Sequence, residues 1–184
     1  MKMLLAKTKE EIFIRRLFLS LLFAFATGFG AQIRIPLPFT PVPITMQTFF
    51  VLSSGVALGA FWGSFSQILY ILMGAFGFPY FSGWSAGVKT IIGPTGGYII
   101  GFAIASYLSG VLTKGELSLK RIYCAMFLAE IIILLLGAFW LSISLSLSPY
   151  QAFLKGILPF IPGDILKILA GGLFSLHISR WSRG

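Results

Sequence analysis

The chain has 184 residues, of which 57% are hydrophobic, 16% aromatic and only 10% charged, with a formal net charge of +9. Its mean hydropathy of +0.94 belongs to a membrane protein, since soluble domains carry about a quarter charged residues. One Cys and one His exclude a disulfide framework and a Cys/His zinc cluster, and without a G-x-x-x-x-G-K-[ST] loop any ATP hydrolysis has to come from another chain.

Residues 1–11 form a short polar, basic N-terminal segment. The first apolar run, Leu17 to Ala31, follows Arg15 and Arg16. It reads as an uncleaved helix, because Phe29 stands where a signal-peptide cleavage site needs a small residue. Residues 33–45 (IRIPLPFTPVPIT) carry four prolines, which remove backbone donors and fix φ, so an ordered extended segment is expected there. Residues 46–78 are apolar and divide into two short helices joined near Trp62-Gly63-Ser64. A Gly- and aromatic-rich connection follows over 79–94. Helical runs are expected over about 95–113, 122–147 and 151–179, with 114–121 (KGELSLKR) as the one conventional polar loop.

Charge decides between five and six helices. With six, Lys2, Lys7, Lys9, Arg15, Arg16, Lys114, Lys120, Arg121, Arg180 and Arg183 share one side, against Arg34, Lys89 and Lys155 on the other. By the positive-inside rule this is an all-α membrane protein, a single six-helix transmembrane domain over 1–184 with both termini cytoplasmic. The Pro-rich stretch, the 79–94 connection and a turn near Ser148-Pro149 then meet on the external side. Irregular backbone there suggests a lid over a cavity, with Pro41, Pro43 and Thr45 as lid residues.

The strongest local signal is Leu158-Pro-Phe-Ile-Pro-Gly-Asp164-Ile-Leu-Lys167. Pro159 and Pro162 interrupt the helix, and Asp164 is placed to cap its restart. Asp164 and Lys167 are i,i+3 and share a face. Ionisable groups in a span usually face a cavity or a partner, so the pair reads as a polar cavity floor. Lys167 offers a cation to a carboxylate and Asp164 accepts from N–H groups, which suits a small organic anion with amide-like donors.

Gly93-Pro-Thr95-Gly-Gly-Tyr98 opens the fourth span and would supply the hydroxyls of Thr95 and Tyr98. Lys89 reads first as a snorkelling interfacial lysine and second as a ligand contact. Gln47 presents an amide at the start of the second span. Tyr80, Phe81 and Trp84 read as interfacial residues first and ligand-stacking residues second. Glu130, mid-span, pairs with Lys167 or Lys155 across helices or stays protonated, and carries no assigned role. His177 and Trp181 read as interface anchors. Ser20, Ala24 and Gly28 form one small-residue ridge, and Gly55, Gly59 and Gly63 another, either for packing within the chain or for docking a membrane partner.

The run Ile35-Pro-Leu-Pro-Phe-Thr-Pro-Val-Pro-Ile-Thr45-Met-Gln47-Thr48 resembles the signature of BioY proteins, the biotin-binding S components of energy-coupling factor (ECF) transporters. Four further pieces agree in order: Tyr70 with Gly74-x-x-Gly77-x-Pro79-x-Phe81, then Gly93-Pro-Thr-Gly-Gly-Tyr98, then Gly137-x-x-Trp140-Leu141, then Pro159-Phe-Ile-Pro-Gly-Asp164-x-x-Lys167. The resemblance implies a six-helix S-component fold in a bacterial cell membrane that captures biotin from outside. It also implies delivery inward with a T subunit and two ATP-binding-cassette ATPases, with no cofactor and no catalysis.

It further implies that polar residues of helices four to six, above all Asp164 and Lys167, hold the ligand's carboxylate and ureido ring. Which of the two faces the carboxylate stays open. The class carries an Ala-x-x-x-Ala surface on helix one for the T subunit. Here the corresponding positions are Ser20 and Ala24, with Gly28 continuing the ridge. Two other classes are weighed against this reading. A proton-coupled secondary transporter of an organic anion would use Glu130 or Asp164 as a relay, but no inverted repeat relates the halves. An intramembrane enzyme would need a base and a nucleophile, and the sole His lies at the cytoplasmic edge.

Overall fold

The computed structural model describes residues 9–115 and 117–182, and for residues 180–182 the backbone alone. The expected topogenic charges Lys2, Lys7 and Arg183 lie outside the described residues, and those of Arg180 and the Trp181 anchor concern side chains outside them. Helix α1 (Lys9–Gln32) begins with Glu10 and Glu11 in its first turn, where negative charge offsets the helix dipole.

The four prolines give a β-hairpin, β1 (Arg34–Leu37) and β2 (Thr40–Thr45), paired antiparallel with Arg34 opposite Thr45 and Ile35 opposite Ile44. The ladder is irregular between Ile35 and Leu37, where Pro36 has no N–H to give. A two-stranded sheet has only edge strands, which is why it accommodates so many prolines. The hairpin's end is tied to the end of α1, because Met46 N donates to the carbonyls of Gly30 and Ile33 at 3.1 Å each.

Helices α2 (Gln47–Leu58) and α3 (Ala60–Ala75) follow. They part at Gly59, earlier than the expected Trp62-Gly63-Ser64, because Gly59 adopts φ 83° and ψ 171°, a conformation that side chains disfavour. The chain folds back there, and Gly63 lies against Gly55. Every residue of α2 except Phe50 is buried, so α2 is the central helix, surrounded by α1, α3, α5 and α8.

After a connection containing α4 (Val88–Ile92) come α5 (Gly96–Leu112) and α6 (Leu119–Ser144). These two pack closely, and Gly137 of α6 is where the Tyr98 ring rests. Ser148 starts α7 (Pro149–Gly156) with a reciprocal capping box to Gln151 and proline at the first position. The expected 151–179 run is thus two helices, α7 and α8 (Ile161–Ser182).

Among the described residues three helices, α1, α6 and α8, are long and apolar enough to cross a membrane. Helices α2, α3 and α5 are apolar but shorter, at 12, 16 and 17 residues. At 1.5 Å per residue they reach about 18–26 Å, short of a hydrocarbon core of about 30 Å. Among the described residues the structure therefore has three long apolar helices and three shorter ones, and the two expected as short over 46–78 are α2 and α3.

Candidate functional site: a cavity beneath the hairpin

A cavity of about 400 Å³ opens between the hairpin, the 81–95 connection and helices α2, α3, α5, α6 and α8, a volume within the range of small-molecule sites. The expected lid residues Pro41, Pro43 and Thr45 border it, as do Phe81, Lys89 and Thr95 from the connection and Gln47, Tyr98, Asp164 and Lys167 from the helices.

Lys167 and Asp164 are both buried, and Lys167 Nζ lies 2.6 Å from Asp164 Oδ1. The ammonium also donates to the backbone carbonyl of Thr45 and to Thr48 Oγ1, each at 2.9 Å. An ammonium has three donors, and all three are engaged. Asp164 is not the N-cap expected from sequence. Its own N–H donates to Phe160 O at 2.9 Å, so it sits in the first turn of a helix that has already started. Pro162, second in α8, is tolerated there because first-turn donors have no intrahelical partner.

Gln47 joins the hairpin to α3: its Nε2 donates to Tyr70 Oη at 2.6 Å, and its Oε1 accepts from Thr45 Oγ1 at 3.0 Å. The Tyr70 ring meets Phe81 edge-on, with centroids 5.5 Å apart, and Phe102 at 6.3 Å. Tyr98 lies 6.1 Å from Phe160 and donates its hydroxyl to Gly156 O at 2.7 Å. All five rings line the cavity. Trp140 Nε1 donates to Gly93 O at 2.9 Å, which fixes the turn carrying Thr95.

Charged residues of two kinds line the cavity. Asp164, Lys167 and Glu130 are buried. Arg34 of β1 and Lys89 of α4 are exposed cations, and neither is ion-paired among the described residues. Sequence reasoning did not single out Arg34, Thr48 or Tyr70 as site residues and gave Glu130 no role.

A scan against family models matches residues 2–184 to the BioY family. The chain belongs to the BioY family. It is 41% identical over 146 residues to a probable biotin transporter BioY of Pyrococcus horikoshii, covering 79% of this chain and 85% of the relative. It is 36% identical over 152 residues to the biotin transporter BioY of Thermotoga maritima, covering 82% and 88%. In fold it matches the crystal structure of the S-component for biotin from an ECF-type ABC transporter, with a TM-score of 0.87 over 95% of each chain at 24% identity.

Two groups of expected site residues fall elsewhere in this BioY-family chain. Trp84 does not border the cavity. At φ 60° its side chain is 70% exposed, while its N–H donates to Gln32 Oε1 at 3.0 Å. The Ser20–Ala24–Gly28 ridge is not open to a partner. Ser20 and Ala24 are 0% and 1% exposed, Ser20 Oγ donates to Trp62 O of α3 at 3.1 Å, and Gly28 lies under the Tyr80 ring. The ridge packs α1 onto its own chain.

Proposed function

We propose that this chain is the biotin-binding S component of an ECF-type transporter, a transport subunit with no catalytic role. It lies in the cell membrane as a single multi-pass domain with six crossings and both termini cytoplasmic. It takes biotin from the external side and releases it inward together with a T subunit and two ATP-binding-cassette ATPases. Family membership supports the ligand, and a cavity lined by a buried Asp164–Lys167 pair and by the exposed cations Arg34 and Lys89 is the observation that carries the site assignment.

Biotin is an elongated molecule with a carboxylate at one end and a cyclic urea at the other. In this reading the carboxylate lies at Arg34 and Lys89, which are cations without an anionic partner among the described residues. The ring system lies against Phe81, Tyr70 and Tyr98, and the urea meets Asp164 and Lys167. Lys167 suits the urea better than the carboxylate, because its charge is already matched by Asp164. Thr95 and Gln47 complete the lining. The hairpin, through Pro41, Pro43 and Thr45, closes the site with the 79–94 connection.

The test is equilibrium binding of labelled biotin to the purified chain in detergent, competed with unlabelled biotin and with thiamine. Saturable binding displaced by biotin and not by thiamine is expected. Absence of binding by folded protein would overturn the assignment and favour a proton-coupled transporter of another anion.

A further inference from the structure

Among the described residues, the buried charged cluster of the cavity holds hydrogen-bond acceptors that no donor meets. Glu130 of α6 is 3% exposed and borders the cavity. Both of its carboxyl oxygens, and Oδ2 of Asp164, are buried and accept no hydrogen bond among the described residues. The nearby ammonium cannot serve them, because Lys167 is engaged by Asp164 Oδ1, Thr45 O and Thr48 Oγ1. Glu130 of α6 and Asp164 of α8 both line the cavity, so two buried carboxyl groups reach it from two helices. A buried acceptor without a donor costs about 1–3 kcal/mol, and more when charged, so a ligand that brings N–H groups to this cluster recovers that loss.

We propose that Glu130 is a ligand-contacting, specificity-determining residue that receives one N–H of the cyclic urea while Asp164 receives the other. The proposal rests on the biotin reading above and deepens it. A cyclic urea carries two N–H donors on opposite sides of its carbonyl, which matches acceptors arriving from α6 and α8. Ligands that lack a second donor at that end leave Glu130 unsatisfied and are rejected.

The experiment measures biotin affinity of the purified parent, Glu130→Gln and Glu130→Leu proteins in detergent, with thermal melting alongside. Each is also titrated with 2-iminobiotin, the cyclic guanidine analogue, which is cationic at neutral pH and gains from an adjacent carboxylate. We expect Glu130→Leu to lose about 10-fold or more in biotin affinity and Glu130→Gln, which keeps one acceptor, to lose less. Both variants should lose about a further 10-fold for 2-iminobiotin relative to biotin. Unchanged biotin affinity in a folded Glu130→Leu protein would overturn the proposal. So would equal losses for the two ligands, which would mark a purely structural residue. If Glu130→Leu does not fold, the ligand ratio in Glu130→Gln decides: a shifted ratio supports the contact and an unshifted one overturns it. Failure of the parent to bind biotin would instead overturn the biotin reading, and the proposal with it.

Discussion

The Lys167 ammonium lies 2.9 Å from the backbone carbonyl of Thr45, across 122 residues of chain. The last helix thus holds the end of the hairpin by a charge-assisted hydrogen bond, and the same ammonium balances Asp164. One side chain thus joins Asp164 to the hairpin that borders the cavity.

Removing that cation should cost more than its contacts alone suggest. Lys167→Met leaves Asp164 buried without its partner, and breaking a buried pair on one side costs about 3–5 kcal/mol. Melting of the detergent-solubilised protein should fall clearly, and biotin binding should be lost. The double variant Lys167→Met with Asp164→Leu removes both charges and should regain much of the melting temperature without regaining binding. A double variant no more stable than the single one would contradict this account of the pair.

Phe81 and Trp84 of the connection should behave oppositely. Phe81 is fully buried against Tyr70 and Gly74, so Phe81→Ala should destabilise by about 3–5 kcal/mol and weaken binding. Trp84 is exposed and away from the cavity, so Trp84→Ala should leave affinity as in the parent. Titrations of the two variants with labelled biotin check the contrast.

Tyr98 borders the cavity, yet its hydroxyl is engaged by Gly156 O. Tyr98→Phe should therefore cost about 1 kcal/mol of stability and change biotin affinity little. Gly137→Ala should do more harm, because its methyl group meets the Tyr98 ring and overpacking typically costs about 1–3 kcal/mol. Chemical or thermal unfolding of both variants ranks them.

The exposed cations give a prediction about ligand orientation. Arg34→Ala and Lys89→Ala should weaken binding of biotin, and more so at low salt, where exposed charges act over longer range. They should scarcely affect binding of the methyl ester, which has no carboxylate. Equal losses for acid and ester would place the carboxylate elsewhere.

Several of these relationships were legible in the sequence, and the exceptions have physical reasons. Proline density identified 33–45 as extended, but pairing of β1 with β2 depends on where α1 ends and α2 begins. The helix break falls at Gly59 rather than near Gly63, because nothing local distinguishes Gly55, Gly59 and Gly63 until one adopts a positive φ. The i,i+3 pairing of Asp164 with Lys167 is confined to one helix and was visible. Glu130 borders the same cavity from another helix, which no spacing rule along α6 reveals. Small residues at spacing four located a close packing face in α1, but not whether the occupant is another chain or, as here, α3 and Tyr80. Trp84 lies in a connection without periodicity, so its direction had no sequence signal.

The most direct test of the site is equilibrium binding of labelled biotin to the parent and to Asp164→Asn, with melting measured on the same samples. Asp164→Asn keeps the size of the side chain and removes the charge that faces Lys167. Losing a charged hydrogen-bonding partner costs about 1.5–3 kcal/mol, or roughly 10- to 150-fold in affinity. The account predicts tight, saturable binding by the parent and a loss in that range for a folded variant. Parent-like affinity in the folded Asp164→Asn protein would contradict it and move the site out of this cavity.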